Sequence, residues 1–336
     1  MDRRALLTSG LATAALAATG PSATALADTS SADISLTDTA LADTAGTPSD
    51  AALARSLGFR SAHAEVNGTR LHYVTGGEGP PLVLLGGWPQ TWWQFRKIMP
   101  PLARRHRVVA VDLRGMGGSA TPAGGYDKRT MARDVLELVR ELGLGRVDVA
   151  GHDIGAMVGH SLAANHPGAV RGLALLDVAH PDESMYDLTL VPRPGQPLFL
   201  WWFAFNQVRA LPEQLLAGRY RLLVDHLCAM LLKDQGAITD RDRAIYAAAY
   251  SSPDHVRAAN GWYQTFGQDV EDHRGYPRLA LPVLGLANED APEYLAEPLR
   301  RHVVDPELVV VRGSGHYLAE ERPEVVTREL LAFFGR

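Results

Sequence analysis

The sequence predicts an α/β domain built on a mostly parallel sheet and interrupted by a helical insertion. Six short runs, Pro81–Leu85, Val108–Val111, Val147–Ala150, Leu173–Leu176, Pro282–Leu286 and Leu308–Val311, are apolar throughout rather than alternating. That is the pattern of strands buried on both faces. Between them Met131, Val135, Leu138, Val139 and Leu142 recur at helical spacing, so strand and helix alternate along the chain. The alternation stops from Pro181 to Gly275, a stretch that holds 12 of the chain's 24 aromatic residues. It reads as a helical subdomain with an aromatic core, inserted where a lid over a site would sit.

At the N-terminus, Arg3 and Arg4 precede an uncharged run from Ala5 to Ala27 rich in Ala, Leu, Thr and Gly. This is the layout of an export signal, and it resembles a twin-arginine signal. The run is too short and too mildly apolar for a permanent membrane anchor. Ala25-Leu26-Ala27 gives a cleavage site, and the repeat of Thr-Ala-Leu-Ala-Asp-Thr at 24–29 and 39–44 offers a second after Ala42. From Asp28 to Asp50 there are five Asp and no Lys, Arg or aromatic residue. Such a stretch cannot bury enough apolar surface to offset its ordering entropy. Residues 28–58 therefore read as a flexible linker, and the protein is expected outside the cytoplasm. Val66-Asn67-Gly68-Thr69 then reads as a hairpin turn. The core domain is assigned to 59–180 and 276–336, and the insertion to 181–275.

Composition narrows the function. The 336 residues are 46% hydrophobic and carry a formal net charge of -5, with no tract that gathers the cations into a nucleic-acid footprint. The single cysteine, Cys228, excludes a disulfide framework and a Cys-rich metal site, and reads as a small buried apolar residue. No phosphate-binding glycine loop follows a strand and no His/Asp/Glu set occurs at short spacing, so neither cofactor nor metal is expected. The expected ligand is a small, apolar molecule; oligomeric state is not legible.

Chemistry-bearing residues come in a fixed order. The strand Val147–Ala150 runs into Gly151-His152-Asp153-Ile154-Gly155, followed by the helical pattern Met157, Val158, Leu162, Ala163. Strand, sharp turn and helix make a nucleophile elbow, whose glycines permit a turn that lifts the central residue to the mouth of the sheet. That residue is Asp153, not Ser. Leu84-Leu85-Gly86-Gly87-Trp88-Pro89 closes another strand with a glycine pair. Backbone N–H groups are left free there, and the oxyanion hole is assigned to Trp88 and Ile154. Gly313-Ser314-Gly315-His316-Tyr317 places His316 on a glycine-rich loop after the last strand. Two acids can orient its imidazole: Asp177, at the end of Leu173–Leu176, and Asp290, after Pro282–Leu286. Asp177 is favoured, because Asn288-Glu289-Asp290-Ala291-Pro292 reads as an acidic loop facing water. His152 reads as a structural neighbour in the elbow.

Residues from about 62 to 336 resemble the α/β-hydrolase superfamily, most closely the cap-bearing epoxide hydrolases. The matching strings are Gly87-Trp88-Pro89-Gln90-Thr91-Trp92, Val111-Asp112-Leu113-Arg114-Gly115-Met116-Gly117-Gly118-Ser119, the elbow, and Gly315-His316-Tyr317-Leu318 with Glu321 and Pro323. The resemblance implies an α/β-hydrolase fold with a mostly parallel central sheet and a helical cap. It also implies that Asp153 attacks an sp³ carbon to form an alkyl ester, which water activated by His316 hydrolyses. In this family two cap tyrosines protonate the opening oxirane. Tyr263, in Asn260-Gly261-Trp262-Tyr263-Gln264, matches one; the position of the other holds Trp202, leaving Tyr186, Tyr220, Tyr246 or Tyr250 as substitutes. Trp201, Trp202 and Trp262 are the expected substrate-binding aromatics.

Two other functions compete. Dehalogenases use the same Asp, His and acid. The haloalkane enzymes place Trp after the nucleophile, and the haloacetate enzymes place Arg there and three positions on; this chain has Ile154 and Met157. Without those cations a carboxylate substrate lacks its bidentate anchor, although Trp201 and Trp202 can cradle a halide. A non-catalytic binding protein on the same fold would not need to keep nucleophile, base and acid together.

Overall fold

The computed structural model describes residues 46–189, 191, 192, 194 and 200–336. The expected export signal (1–27), the first part of the linker and Phe199 lie outside the described residues. Eight strands, β1 (Arg60–Val66), β2 (Thr69–Gly76), β3 (Pro81–Leu85), β4 (Arg107–Val111), β5 (Val147–His152), β6 (Val170–Leu176), β7 (Val283–Asn288) and β8 (Pro306–Val311), form one sheet in the order β1-β2-β4-β3-β5-β6-β7-β8. β1 pairs β2 and β2 pairs β4 antiparallel, and the remaining neighbours are parallel. The expected hairpin is present, with Val66 opposite Thr69 and Asn67 and Gly68 at positive φ.

Helices α1 (Asp50–Ser56), α2 (Met99–Leu102), α3 (Lys128–Glu141) and α4 (Ile154–Asn165) precede the insertion, and α11 (Glu293–His302), α12 (Leu318–Glu321) and α13 (Pro323–Phe334) follow it. The insertion between β6 and β7 contributes α5 (Trp201–Gln207), α6 (Leu211–Leu216), α7 (Tyr220–Leu231), α8 (Asp240–Ala249), α9 (Pro253–Gln264) and α10 (Phe266–Arg274). Among the described residues no helix is long and apolar enough to cross a membrane.

Two expectations are corrected. The linker does not reach residue 58: Ser49 caps α1, Leu53 and Ala54 are buried, and Asp50 accepts a hydrogen bond from the Trp92 indole at 2.7 Å. A helix docked by apolar burial and a buried polar contact offsets the ordering cost that the Asp-rich composition implied. The run Leu308–Val311 is not buried on both faces. β8 is the sheet's edge, and Leu308 and Val310 are exposed there. Cys228 is buried as expected, and burial pushes its thiol up to about 12.

Candidate active site

The chemistry-bearing side chains gather at the carboxyl ends of the parallel strands, where this layout places ligands. β3 delivers Trp88, β5 Asp153, β6 Asp177, β7 Asn288 and the turn after β8 His316. The elbow needs its glycines for contact reasons. A Cβ on Gly151 would stand 2.3 Å from the Gly155 carbonyl oxygen, and one on Gly155 would stand 2.1 Å from that of Leu85. Asp153 itself sits at φ 53°, ψ -123°, a strained conformation for a non-glycine residue of the kind retained at functional sites.

The Trp88 amide donates to Asp153 Oδ1 at 2.8 Å. Asp153 Oδ2 faces His316 Nε2 at 3.9 Å. On the other side of the imidazole, His316 Nδ1 lies 2.7 Å from Asp177 Oδ2. Asp177 Oδ1 accepts from the Asn288 amide at 3.0 Å and its side-chain Nδ2 at 2.7 Å. The structure thus brings Asp177 to the imidazole and not Asp290, which lies exposed and salt-bridged to Lys233 at 2.8 Å. His152 bridges Gln94 Oε1 at 2.8 Å and the His316 carbonyl at 2.9 Å, so it fixes the loop rather than facing the mouth.

The protonation states follow from this packing. Burial raises the Asp153 pKa, and the His316 charge and the Ile154 and Trp88 amides pull it back only in part. Burial works against a charge on His316, but the hydrogen bond and charge of Asp177 and the charge of Asp153 outweigh it, and its pKa is raised. The dyad is therefore a carboxylate with an oriented imidazole that favours its protonated form while Asp153 is ionised.

The insertion closes over the Trp88 side. Tyr263, on α9, packs edge-on against Trp88 with ring centroids 5.4 Å apart. Its hydroxyl is buried without a hydrogen-bond partner. Burial holds that phenol well above its ordinary pKa, with the Asp153 charge adding to the effect. Of the four tyrosines considered as substitutes, Tyr220 alone reaches a site residue, accepting from the Trp88 indole at 2.6 Å. Tyr250 donates to the Gln90 carbonyl, Tyr246 donates to Glu320, and Tyr186 is exposed.

Trp262 is corrected as a substrate-binding residue. It is fully buried and its indole donates to the Arg114 carbonyl at 3.0 Å. Neighbours on a helix point about 100° apart, so turning Tyr263 toward Trp88 turns Trp262 into the core. Trp202 is buried between Trp201 and Phe203, and Trp201 packs on His226 of α7. Within the insertion, Tyr263 is flanked instead by Phe203, at 5.5 Å, and Phe266, at 5.1 Å. Sequence reasoning also missed the role of Glu321. Its carboxylate accepts from the amides of Gly315, Tyr317, Lys233 and Asp234, tying the His316 loop to the end of α7. The signal was available in its fixed distance from His316.

The α/β hydrolase fold model matches residues 80–233. The chain is 33% identical over 275 residues to a soluble epoxide hydrolase from Corynebacterium sp. (strain C12), a match that covers 81% of this chain and 96% of that protein. It is 37% identical over 166 residues to a fluoroacetate dehalogenase from Burkholderia sp., covering 48% of this chain and 54% of that protein. Among solved structures, Cfl2 from Burkholderia cenocepacia aligns with a TM-score of 0.77 at 34% identity, covering 82% of this chain and 96% of that one. Sheet order, elbow and these similarities agree: the chain belongs to the α/β-hydrolase family, in the branch that holds epoxide hydrolases and a fluoroacetate dehalogenase, and is a hydrolase.

Proposed function

We propose that this hydrolase opens epoxides to vicinal diols through an alkyl ester on Asp153. The observation that carries the reading is the Tyr263 hydroxyl, buried without a partner, on a ring edge-on to the Trp88 whose amide holds Asp153 and within reach of the Asp153 charge. A carboxylate can open an oxirane only if the leaving oxygen is protonated, because an alkoxide is a poor leaving group at neutral pH. An uncommitted neutral phenol is the group for that task.

Asp153 Oδ1 is held by the Trp88 amide, which leaves Oδ2 to attack the ring carbon. The carbon–oxygen bond breaks and the Tyr263 proton passes to the leaving oxygen. His316 Nε2 then takes a proton from water, and the resulting hydroxide adds to the Asp153 carbonyl carbon. The oxyanion formed on Asp153's own oxygen is met by the Trp88 and Ile154 amides. Collapse expels the diol oxygen, which takes the proton from the imidazolium, and the proton left on the Asp153 carboxyl returns through solvent to the Tyr263 phenolate, restoring both groups. Esterification itself prepares this second step, since it removes the Asp153 charge from the three, with those of Asp177 and Glu321, that favour the protonated imidazole.

The trap is His316→Gln. An epoxide should leave a stable adduct on the Asp153 peptide, detected by mass spectrometry. An adduct on another residue overturns the reading. Dehalogenation is the second reading, favoured by the likeness to the fluoroacetate dehalogenase. Ile154 and Met157 are buried apolar side chains that offer a haloacid no cation. Release of halide without any diol from an epoxide panel would move the assignment there.

A further inference from the structure

The insertion buries polar groups that the catalytic scheme does not use. Both side-chain polar atoms of Asn206 and the Nδ2 of Asn260 are buried without a hydrogen-bond partner, in addition to the Tyr263 hydroxyl. Asn206 is 0% exposed and Asn260 1%. Buried amides are nearly always paired within the protein, so an unpaired set calls for something else to pair it.

Helical spacing brings these side chains together. Asn260 lies one turn before both Tyr263 and Gln264 on α9, on the face between them. Gln264 Nε2 donates to the Asn206 carbonyl at 3.3 Å. Phe203, one turn before Asn206 on α5, packs on the Tyr263 ring. α5 packs on α9, so Asn206 and Asn260 lie along the seam between these helices, on the same stretch as the Tyr263 phenol. The neighbouring cation Lys128, which lies over the Phe266 ring, is not free: it is paired with Asp269 at 2.7 Å and donates to the Trp262 carbonyl.

We infer that Asn206 and Asn260 form a polar subsite that takes a neutral substituent of the substrate able both to donate and to accept hydrogen bonds, a primary amide or a hydroxyl. The inference deepens the epoxide reading and rests on it for the reacting end of the substrate. A primary amide complements the pair, its NH2 donating to Asn206 Oδ1 and its carbonyl accepting from the two Nδ2 groups. A carboxylate or an ammonium would enter without a counter-charge. The substrate is then an apolar body, held by the aromatics of the insertion, with one neutral polar end.

Calorimetric binding of two unreactive probes, benzamide and ethylbenzene, to the full chain tests this in wild type, Asn206→Leu and Asn260→Leu. Leu keeps the branched shape and removes an unpaired amide, so each variant should fold with Tm unchanged or raised where the subsite has room for the larger methyls. Benzamide binding should weaken about tenfold, as a lost buried hydrogen bond predicts, and ethylbenzene should bind as well or better. An equal response to both probes, or a benzamide affinity that Leu leaves unchanged, overturns the subsite. If a Leu variant does not fold, Asn206→Ser and Asn260→Ser carry the same comparison. An aryl epoxide with and without a carboxamide substituent separates the two readings. No diol from either, with the probe preference intact, removes the epoxide reading and leaves the subsite. Diol from both, without preference for the carboxamide, removes the subsite and leaves the chemistry.

Discussion

The mouth of the sheet and the helices that cover it treat their polar groups in opposite ways. At the mouth the carboxylates that support the nucleophile and the imidazole are committed, and only Oδ2 of Asp153 is left free. Asp177 accepts from Asn288 twice and bonds His316, and Glu321 accepts from four backbone amides. In the insertion, Tyr263, Asn206 and Asn260 keep buried polar atoms with no partner. A satisfied network fixes one geometry, and an unsatisfied one waits for a ligand. On the proposed scheme the ester chemistry belongs to the strand ends, and proton donation and substrate choice to α5 and α9.

The comparison breaks most readily at Asp177. If the mouth is a committed network, Asp177→Asn should disrupt the orientation of His316 and slow release of a preformed Asp153 ester by up to about 10⁴-fold, the scale seen when an orienting acid is lost. Asp290→Asn should leave release within about twofold, because a surface pair with Lys233 contributes little. Rapid-quench measurement of ester decay in both variants checks this. A strong effect of Asp290→Asn alone would return the orienting role to the loop after β7.

Tyr263 should give the next largest effect, on the other half of the cycle. Tyr263→Phe removes the donor and should slow ester formation by about 10²–10⁴-fold, while leaving release of a preformed ester nearly unchanged. Pre-steady-state measurement of both steps separates them. Equal ester formation in wild type and variant would make the phenol a packing group and favour a leaving halide, which needs no proton.

What the sequence revealed follows the same division. Strands β3 to β7, the elbow and the His316 loop are local signals, an apolar run or a glycine at a close approach, and they were legible. The preference for Asp177 over Asp290 was drawn from the sequence, but what holds Asp177 in place was not legible, because it depends on the Asn288 amide and side chain meeting a carboxylate 111 residues earlier. Nor was the Tyr220–Trp88 contact, across 132 residues. Trp262 was misjudged, and Phe203 was given no role, because aromatic content places residues in the insertion but says nothing about which face they take. The docking of α1 escaped composition altogether, since two buried side chains, Leu53 and Ala54, and one indole contact decide it.

The smallest expected effect concerns the seam between the two regions. His160 on α4, His180 after β6, His273 on α10 and His302 on α11 form a chain of imidazoles with neighbouring centroids 4.2–5.3 Å apart. Tyr276 packs on this group, and Asp182, the acid beside it, is already held by His302 and Arg301. Burial, with repulsion from the neighbouring imidazoles, drives His160 and His180 well below the ordinary histidine range and His273 to about 4; for His180, Lys128 adds to the effect. His160, His180 and His273 resist protonation in the folded protein and take it up more readily when unfolded. Stability is therefore fully present above the unfolded pKa of about 6.5, and is lost as pH falls from there toward the folded value. The loss is about 1.4 kcal/mol per pH unit for each such residue. Chemical denaturation between pH 7.5 and 5.0 should show a steep decline, and His273→Asn should reduce its slope by about one proton's worth. The decline should appear first as lost turnover, because α10 belongs to the insertion while α4 and α11 belong to the sheet's own layers, and a charge between them pushes the two apart. An unchanged slope in His273→Asn would place the acid sensitivity elsewhere, with the buried His152 at the mouth, itself held down to about 3 chiefly by burial, as the next residue to replace.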